Sequence, residues 1–234
     1  MGARAQAILP LALVVGILSF LWTEFSLNFT FHWYTLSGSD TAANGVGIPH
    51  SFHLILPTAF IAWGLFFCAG GDNAAFGKIV VASVFGTVAA LITMYLSYKT
   101  ESFPKFWGIA LWVGIFAFIL VAILIAGDWY YVAGTFPAFA AVFLWWIATG
   151  LDGWAANGGG DKSSLAAWAK TATGPNGTTL FPNKGTGAFG GLISTTFGWV
   201  WFDTLVTLLC GCVLGIVSAK VAALITPKPR AAEG

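Results

Sequence analysis

Charged side chains are scarce in this chain of 234 residues, where ten Lys and Arg and nine Asp and Glu make up 8% of the sequence. Soluble domains carry about 25% charged residues, which they need to cover their surface. The apolar fraction here is 58% and the mean hydropathy is +0.83. These values exclude an ordinary soluble domain and predict a polytopic, all-α protein in the lipid bilayer. With no basic run and a net charge of +1, nucleic acid is excluded as a partner.

Cysteines and catalytic motifs are equally rare. Cys68, Cys210 and Cys212 lie in apolar stretches without a zinc or redox spacing, so we interpret them as small buried residues. The chain contains no phosphate-binding loop, no dinucleotide fingerprint, no haem-attachment motif and no credible Ser-His-Asp arrangement. We therefore expect neither enzymatic activity nor an organic cofactor.

Six apolar runs predict about six transmembrane helices in a single domain. Their predicted bounds are 7–27, 50–70, 75–98, 106–127, 129–149 and 189–222. Two long connections, 28–49 and 150–188, would lie on the membrane face opposite both termini. The last apolar run, from Phe189 to Ile225, is long for one span. We favour one long tilted helix over a helix with a broken, glycine-rich start.

Basic residues near the span ends favour cytoplasmic positions for both termini. Five of them lie at predicted inner ends: Arg4, Lys78, Lys220, Lys228 and Arg230. Lys99 and Lys105, in a short outer connection, oppose this orientation. The first apolar run resembles a signal peptide but lacks a cleavage site of small residues before Glu24, so we interpret it as a retained span.

The two halves of the chain contain similar segments. The second span has Pro57 followed by an Ala- and Phe-rich run, and the fifth span has the same pattern after Pro137. Similar Phe-Gly pairs occur in the third and sixth spans, at Phe76-Gly77, Phe85-Gly86, Phe189-Gly190 and Phe197-Gly198. Three spans per half would invert the second half relative to the first, and such 3+3 inverted repeats commonly place a solute path along their axis. A duplication retained only for packing is the alternative.

Two stretches resemble a known protein family. They are AFIAWGLFFCAGGDNAAFGKIVVASVFGTVAALI at 59–92 and YYVAGTFPAFAAVFLWWIATG at 130–150, and they are similar to the bacterial inner-membrane family of unknown function that includes YcdZ. The matching positions are Phe60, Trp63, Gly70, Gly71, Lys78, Gly86 and Gly134-Thr135-Phe136. The resemblance implies a compact protein of the bacterial inner (plasma) membrane. It transfers no functional residue, because the family has no assigned activity.

Acidic side chains inside spans are functional candidates because they are costly in hydrocarbon. Two qualify: Glu24 near the outer end of the first span, and Asp203 deeper in the last. A charged acid at a span centre costs about 2.5–3.5 kcal/mol, so Asp203 should be paired, protonated or next to water. Trp199 and Trp201 are candidate donors to it. Asp203 either lines a solute pathway or senses protons, or else it makes a buried structural hydrogen bond or lies exposed at a broken helix end.

Three histidines are close together in sequence: His32, His50 and His53. Pro49 is suited to a first helical position, so His50 and His53 would share one face of a first turn. Imidazoles at that spacing can share a metal, and His32 or Asp40 would complete a copper or zinc site at the membrane surface. The commoner alternative is that these side chains are solvated or face lipid.

Small residues are spaced for close helix contacts. Gly211, Gly215 and Ala219 recur every fourth position in the last span, as Gly86 and Ala90 do in the third. This spacing allows two helix backbones to approach, within one bundle or between protomers of a homo-oligomer.

Two functions remain open. The first is a channel or transporter for a small neutral or weakly ionised solute, which the similar halves and the isolated Asp203 favour. The second is a non-catalytic structural or accessory subunit of a larger membrane complex, with the long outer connections docking its partners. A surface copper or zinc site is a less favoured third.

Overall fold

The computed structural model describes six α-helices. The described residues are 3–30, 52–104, 106–127, 129–149, 151 and 197–226. The helices are α1 Ala3–Thr30, α2 Leu56–Cys68, α3 Asn73–Lys99, α4 Trp107–Ala122, α5 Val132–Ala148 and α6 Phe197–Ile225, with a 3-10 turn at Ile123–Ala126 extending α4. The predicted all-α class is confirmed over these residues. Almost all of the two long connections lies outside them.

The helices differ in their ability to cross a bilayer. Four of them, α1, α3, α4 with its 3-10 turn, and α6, are long and apolar enough to span. Helix α2 has 13 residues and α5 has 17. At 1.5 Å per residue these lengths are about 20 and 26 Å, less than the roughly 30 Å of hydrocarbon. The described chain is thus a membrane-type helical protein with four candidate spans and two shorter helices.

The second predicted span, 50–70, becomes helical later than its apolar run suggests. Residues 52–55 are not helical, and Ile55 is extended with φ −92° and ψ 98°; we call residues 52–55 the extended segment. Helix α2 starts at Leu56 with Pro57 in its first turn. Proline has no backbone N–H and is best accommodated in a first turn, where that donor has no partner within the helix. Pro57 therefore marks the start of this helix.

The last apolar run forms one continuous helix of 29 residues over its described part, Phe197–Ile225. Residues 189–196 lie outside the described part. Helix α6 packs against α1, α2, α3 and α5, and α3 packs against α2, α4, α5 and α6. Few residues in the spanning parts of α1 and α4 are buried. The bundle thus has a central pair, α3 and α6, and two outer helices that present apolar side chains to lipid.

Two helix crossings depend on glycine. A Cβ atom on Gly86 of α3 would lie 2.3 Å from the carbonyl oxygen of Thr135 in α5. A Cβ on Gly211 of α6 would lie 2.1 Å from the carbonyl oxygen of Ala59 in α2. No side chain fits at such distances, so these glycines allow α3 to contact α5 and α6 to contact α2 through their backbones.

The remaining small residues of the predicted pattern lie on the same faces. A Cβ on Gly215 would meet the ring of Phe66 at 2.7 Å. Ala90 is fully buried, whereas Ala219 is only partly buried and packs beside Phe66 and Cys212. The faces that these residues define are therefore used within one chain.

Helices α2 and α5 end in the same way. The N–H of Gly71 donates to the carbonyl of Phe66 at 3.0 Å, and the N–H of Leu151 donates to that of Trp146 at 2.8 Å. Both caps use left-handed backbone, with φ of 71° at Gly71 and 58° at Leu151. Among the described residues, Leu151 is the only non-glycine with positive φ. In each case the hydrogen bond from the sixth residue to the first satisfies a carbonyl at the end of the short helix.

Candidate functional site

Asp203 lies on the buried face of α6. Its side chain has no exposed surface, and it is the only buried carboxylate among the described residues. Val200, Thr204 and Thr207 are fully buried on the same face, at helical spacing. This face packs where the extended residues 52–55 lead into α2, since Thr207 is bonded to that segment.

The extended segment 52–55 is held by side chains from two other helices. The N–H of Ile55 donates to Oγ1 of Thr207 in α6 at 3.2 Å. The hydroxyl of Thr30 at the end of α1 donates to the carbonyl of Leu54. Non-helical backbone within a membrane is tolerated only where it is buried in protein or lines a cavity. These bonds allow the segment to remain extended among apolar helices.

The Asp203 carboxylate faces this segment and α5. The backbone N–H of His53 and the indole N–H of Trp145 lie close enough to interact with it, and neither carboxylate oxygen has a further hydrogen-bond partner among the described residues. The rings of His53 and Trp145 pack edge to face, with centroids 6.0 Å apart. Because a carboxylate offers about four acceptor positions, Asp203 can accept a further donor or a cation.

The indole that interacts with Asp203 is not one of the predicted ones. Trp199 packs on Phe202 with centroids 5.7 Å apart, and Nε1 of Trp201 has no hydrogen-bond partner among the residues that the structure describes. The donor that faces Asp203 belongs to Trp145 in α5. The contact between Trp145 and Asp203 could not be predicted from sequence spacing, because α5 and α6 are separated by a long connection.

The position of His53 also differs from the predicted one. His53 was expected on a helical first turn at the membrane surface, and this expectation is wrong: it lies in the extended segment and is 3% exposed. Pro57 rather than Pro49 starts the helix, which leaves His53 outside α2. The other members of the predicted metal site, His32, His50 and Asp40, lie outside the described residues.

The structure also bears on two further expectations, the metal site and the role of Glu24. Within the part of the chain that it describes, no group of three His, Cys, Asp or Glu is placed to hold a metal ion. Glu24, the second acid singled out from sequence, is exposed on α1 and so does not join the buried site of Asp203. The described site therefore consists of Asp203, Thr207, His53, Trp145 and the backbone of 52–55.

Removing the Thr207 hydroxyl tests what holds the extended segment. In Thr207→Val the N–H of Ile55 loses its acceptor, and an unsatisfied buried donor costs about 1–3 kcal/mol. We expect a lower midpoint of thermal unfolding in detergent, measured by tryptophan fluorescence. Thr207→Ser keeps the hydroxyl and should stay close to the wild type. An equal loss in both variants would mean that packing of the methyl group holds the segment instead.

Comparison of the chain with protein-family models, with curated proteins and with solved structures finds no match. The resemblance of 59–92 and 130–150 to the family that includes YcdZ therefore stays a prediction.

Proposed function

We propose that this protein is a transporter for a small neutral or weakly ionised solute, and that Asp203 and residues 52–55 form the polar part of its path. One observation carries this proposal: a fully buried carboxylate faces extended backbone at the start of a short helix. Transporters commonly build their solute and ion sites from interrupted helices whose unwound backbone supplies hydrogen-bonding groups. Backbone groups, a carboxylate and an indole can together recognise a small polar molecule.

An inverted repeat is part of this proposal, with α1, α2 and α3 corresponding to α4, α5 and α6. Corresponding helix pairs pack alike: α3–α5 and α2–α6 are the two most extensive interfaces, and the contact of α1 with α6 is matched by that of α4 with α3. The two short helices occupy corresponding positions, and each contains a proline, Pro57 in the first turn of α2 and Pro137 in the second turn of α5. Paired short or proline-interrupted helices are typical of transporter repeats.

The spacing of equivalent features supports the same correspondence. The separation of Pro57 from Pro137 equals that of the left-handed residues Gly71 and Leu151. When the sequences of α3 and α6 are aligned at Gly86 and Gly211, buried residues of one helix also align with buried residues of the other. The aligned pairs include Ala82 with Thr207, Ser83 with Leu208 and Thr93 with Ser218. The Phe-Gly pairs of the sequence give a different register, one that does not align these buried faces.

A transporter fits this packing better than a permanently open channel. Asp203, Thr207 and Trp146 have no exposed surface, and the crossings at Gly86 and Gly211 bring backbone against backbone. A solute therefore reaches Asp203 only when helices separate. Rocking of one half of an inverted repeat against the other provides such an opening on alternate sides of the membrane.

Reconstitution into liposomes tests the proposed transport. Proteoliposomes should take up at least one of urea, ammonia or a short amide faster than empty liposomes, as measured by light scattering after mixing. Flux equal to that of empty liposomes across this panel would contradict the proposal. Native-gel sizing in mild detergent is the companion measurement, because co-migration with other membrane proteins would instead support the accessory-subunit function.

A further inference from the structure

A second polar site lies at the opposite end of the bundle, where α3 and α5 begin. A cavity of about 180 Å³ opens there between the first turns of α3 and the chain entering α5. Its lining includes the polar residues Lys78, Tyr130, Tyr131 and Thr135, and Val81, Phe85 and Trp129 supply much of the rest. We call this cavity the α3–α5 cleft. The cleft and Asp203 lie at opposite ends of the bundle. Helix α2 begins beside Asp203 and leads to the start of α3, where the cleft opens.

Tyr130 brings an unused hydrogen-bond donor to the cleft. Its side chain is only 6% exposed, and its hydroxyl lies near Thr135 but has no hydrogen-bond partner within the described part of the chain. Thr135 gives its own proton to the carbonyl of Tyr131 at 3.0 Å. Buried hydroxyls normally have a partner, so an acceptor bound in the cleft would complete the bonding of Tyr130.

Lys78 adds a positive charge at the mouth of the cleft. It is exposed and lies in the second turn of α3, close to the predicted inner end of this span. Lysine side chains near span ends extend their ammonium groups to the level of the lipid headgroups. An ammonium group and a phenol hydroxyl in one cavity favour an anionic oxygen ligand such as a phosphate.

The cleft opens towards lipid rather than into the bundle. Val81 is 57% exposed and Trp129 is 61% exposed, and both line the cleft. The apolar wall of the cleft continues onto the outer surface of the bundle. Such a wall suits the acyl chain of a lipid, and free phosphate has no acyl chain. Basic pockets between transmembrane helices on the cytoplasmic side commonly bind anionic lipid headgroups.

We propose that the α3–α5 cleft binds an anionic phospholipid, whose phosphate pairs with Lys78 and accepts a hydrogen bond from Tyr130 while an acyl chain lies along Val81 and Phe85.

Thermal unfolding of the full chain in detergent, titrated with phosphatidylglycerol, tests this binding. Phosphatidylglycerol should raise the unfolding midpoint, while phosphatidylcholine and inorganic phosphate at equal concentrations should not. Lys78→Gln should weaken the apparent affinity about fivefold, the effect expected for one basic side chain at an anionic surface. Tyr130→Phe, which removes only the hydroxyl, should weaken it to a smaller extent.

Lys220→Gln is the matched control. Lys220 is exposed near the end of α6 and is predicted to lie on the same side of the membrane, but it does not line the cleft. This variant should bind phosphatidylglycerol as tightly as the wild type. Equal weakening by Lys220→Gln would assign the effect to general surface charge, and equal stabilisation by inorganic phosphate would assign the cleft to a soluble anion. Either result, or unchanged binding in Lys78→Gln, would overturn the proposal.

Discussion

Gly211→Val is expected to unfold much of the protein or to prevent its assembly. Even the Cβ atom would lie 2.1 Å from the carbonyl oxygen of Ala59 and 2.9 Å from its carbonyl carbon. Both are backbone atoms, so no side-chain rotation relieves the clash and α2 must move away from α6. Overpacking typically costs about 1–3 kcal/mol, and we expect this variant at or above the upper end. The monodisperse fraction in size-exclusion chromatography and the thermal midpoint measure the effect.

Gly64→Val is the matched control for this prediction. Gly64 belongs to α2, one of the two helices that meet at Gly211, but a Cβ there would have nothing within 4 Å. Valine also has a better helix propensity than glycine, so this variant should be as stable as the wild type or slightly more stable. Equal stability of the two variants would mean that α2 and α6 do not cross at Gly211.

Asp203→Asn is expected to lower solute flux at least about tenfold, a rise of about 1.4 kcal/mol in the barrier, while the protein stays folded. Asparagine has nearly the same shape as aspartate, so the packing of α6 against residues 52–55 should be preserved. It cannot carry a negative charge or bind a proton, which are the properties that distinguish a pathway carboxylate from a structural one. Flux into proteoliposomes and the thermal midpoint should be measured on the same samples.

Thr204→Val controls for the loss of a buried polar group beside Asp203. The Thr204 hydroxyl donates to the carbonyl of Val200 at 2.7 Å within α6, and neither residue bonds to the extended segment. We expect unchanged flux in this variant. If Asp203→Asn transports as fast as the wild type, Asp203 is a structural residue, and the transport path must lie elsewhere.

The membrane class and the position of Asp203 within an apolar helix were predictable because both are local properties of the sequence. An acid within an apolar run is visible without knowledge of the fold. Its neighbours were not predictable, because the N–H of His53 and the indole of Trp145 reach it from distant segments. The helix start was misplaced for a similar reason. Residues 52–55 remain extended because Thr30 and Thr207 satisfy their backbone, and no local pattern reveals such partners.

The glycine patterns, too, made only part of the packing predictable. The spacing of Gly86, Gly211 and Gly215 predicted close helix contacts, but it carried no information about the partner helix. The structure pairs Gly86 with α5, and Gly211 and Gly215 with α2. The register of the proposed repeat follows from these contacts. It was hidden in the sequence because Phe-Gly pairs recur by chance in chains rich in both residues.

The bond between Ile55 and Thr207 has a consequence for how the protein is made. Ribosomes release helix α2 into the membrane long before α6, so the extended segment spends the intervening synthesis without the partner that α6 supplies. The glycine-lined contact surface that α2 requires also arrives with α6. Insertion of α6 therefore completes the packing of α2 and of the extended segment, both of which are synthesised earlier.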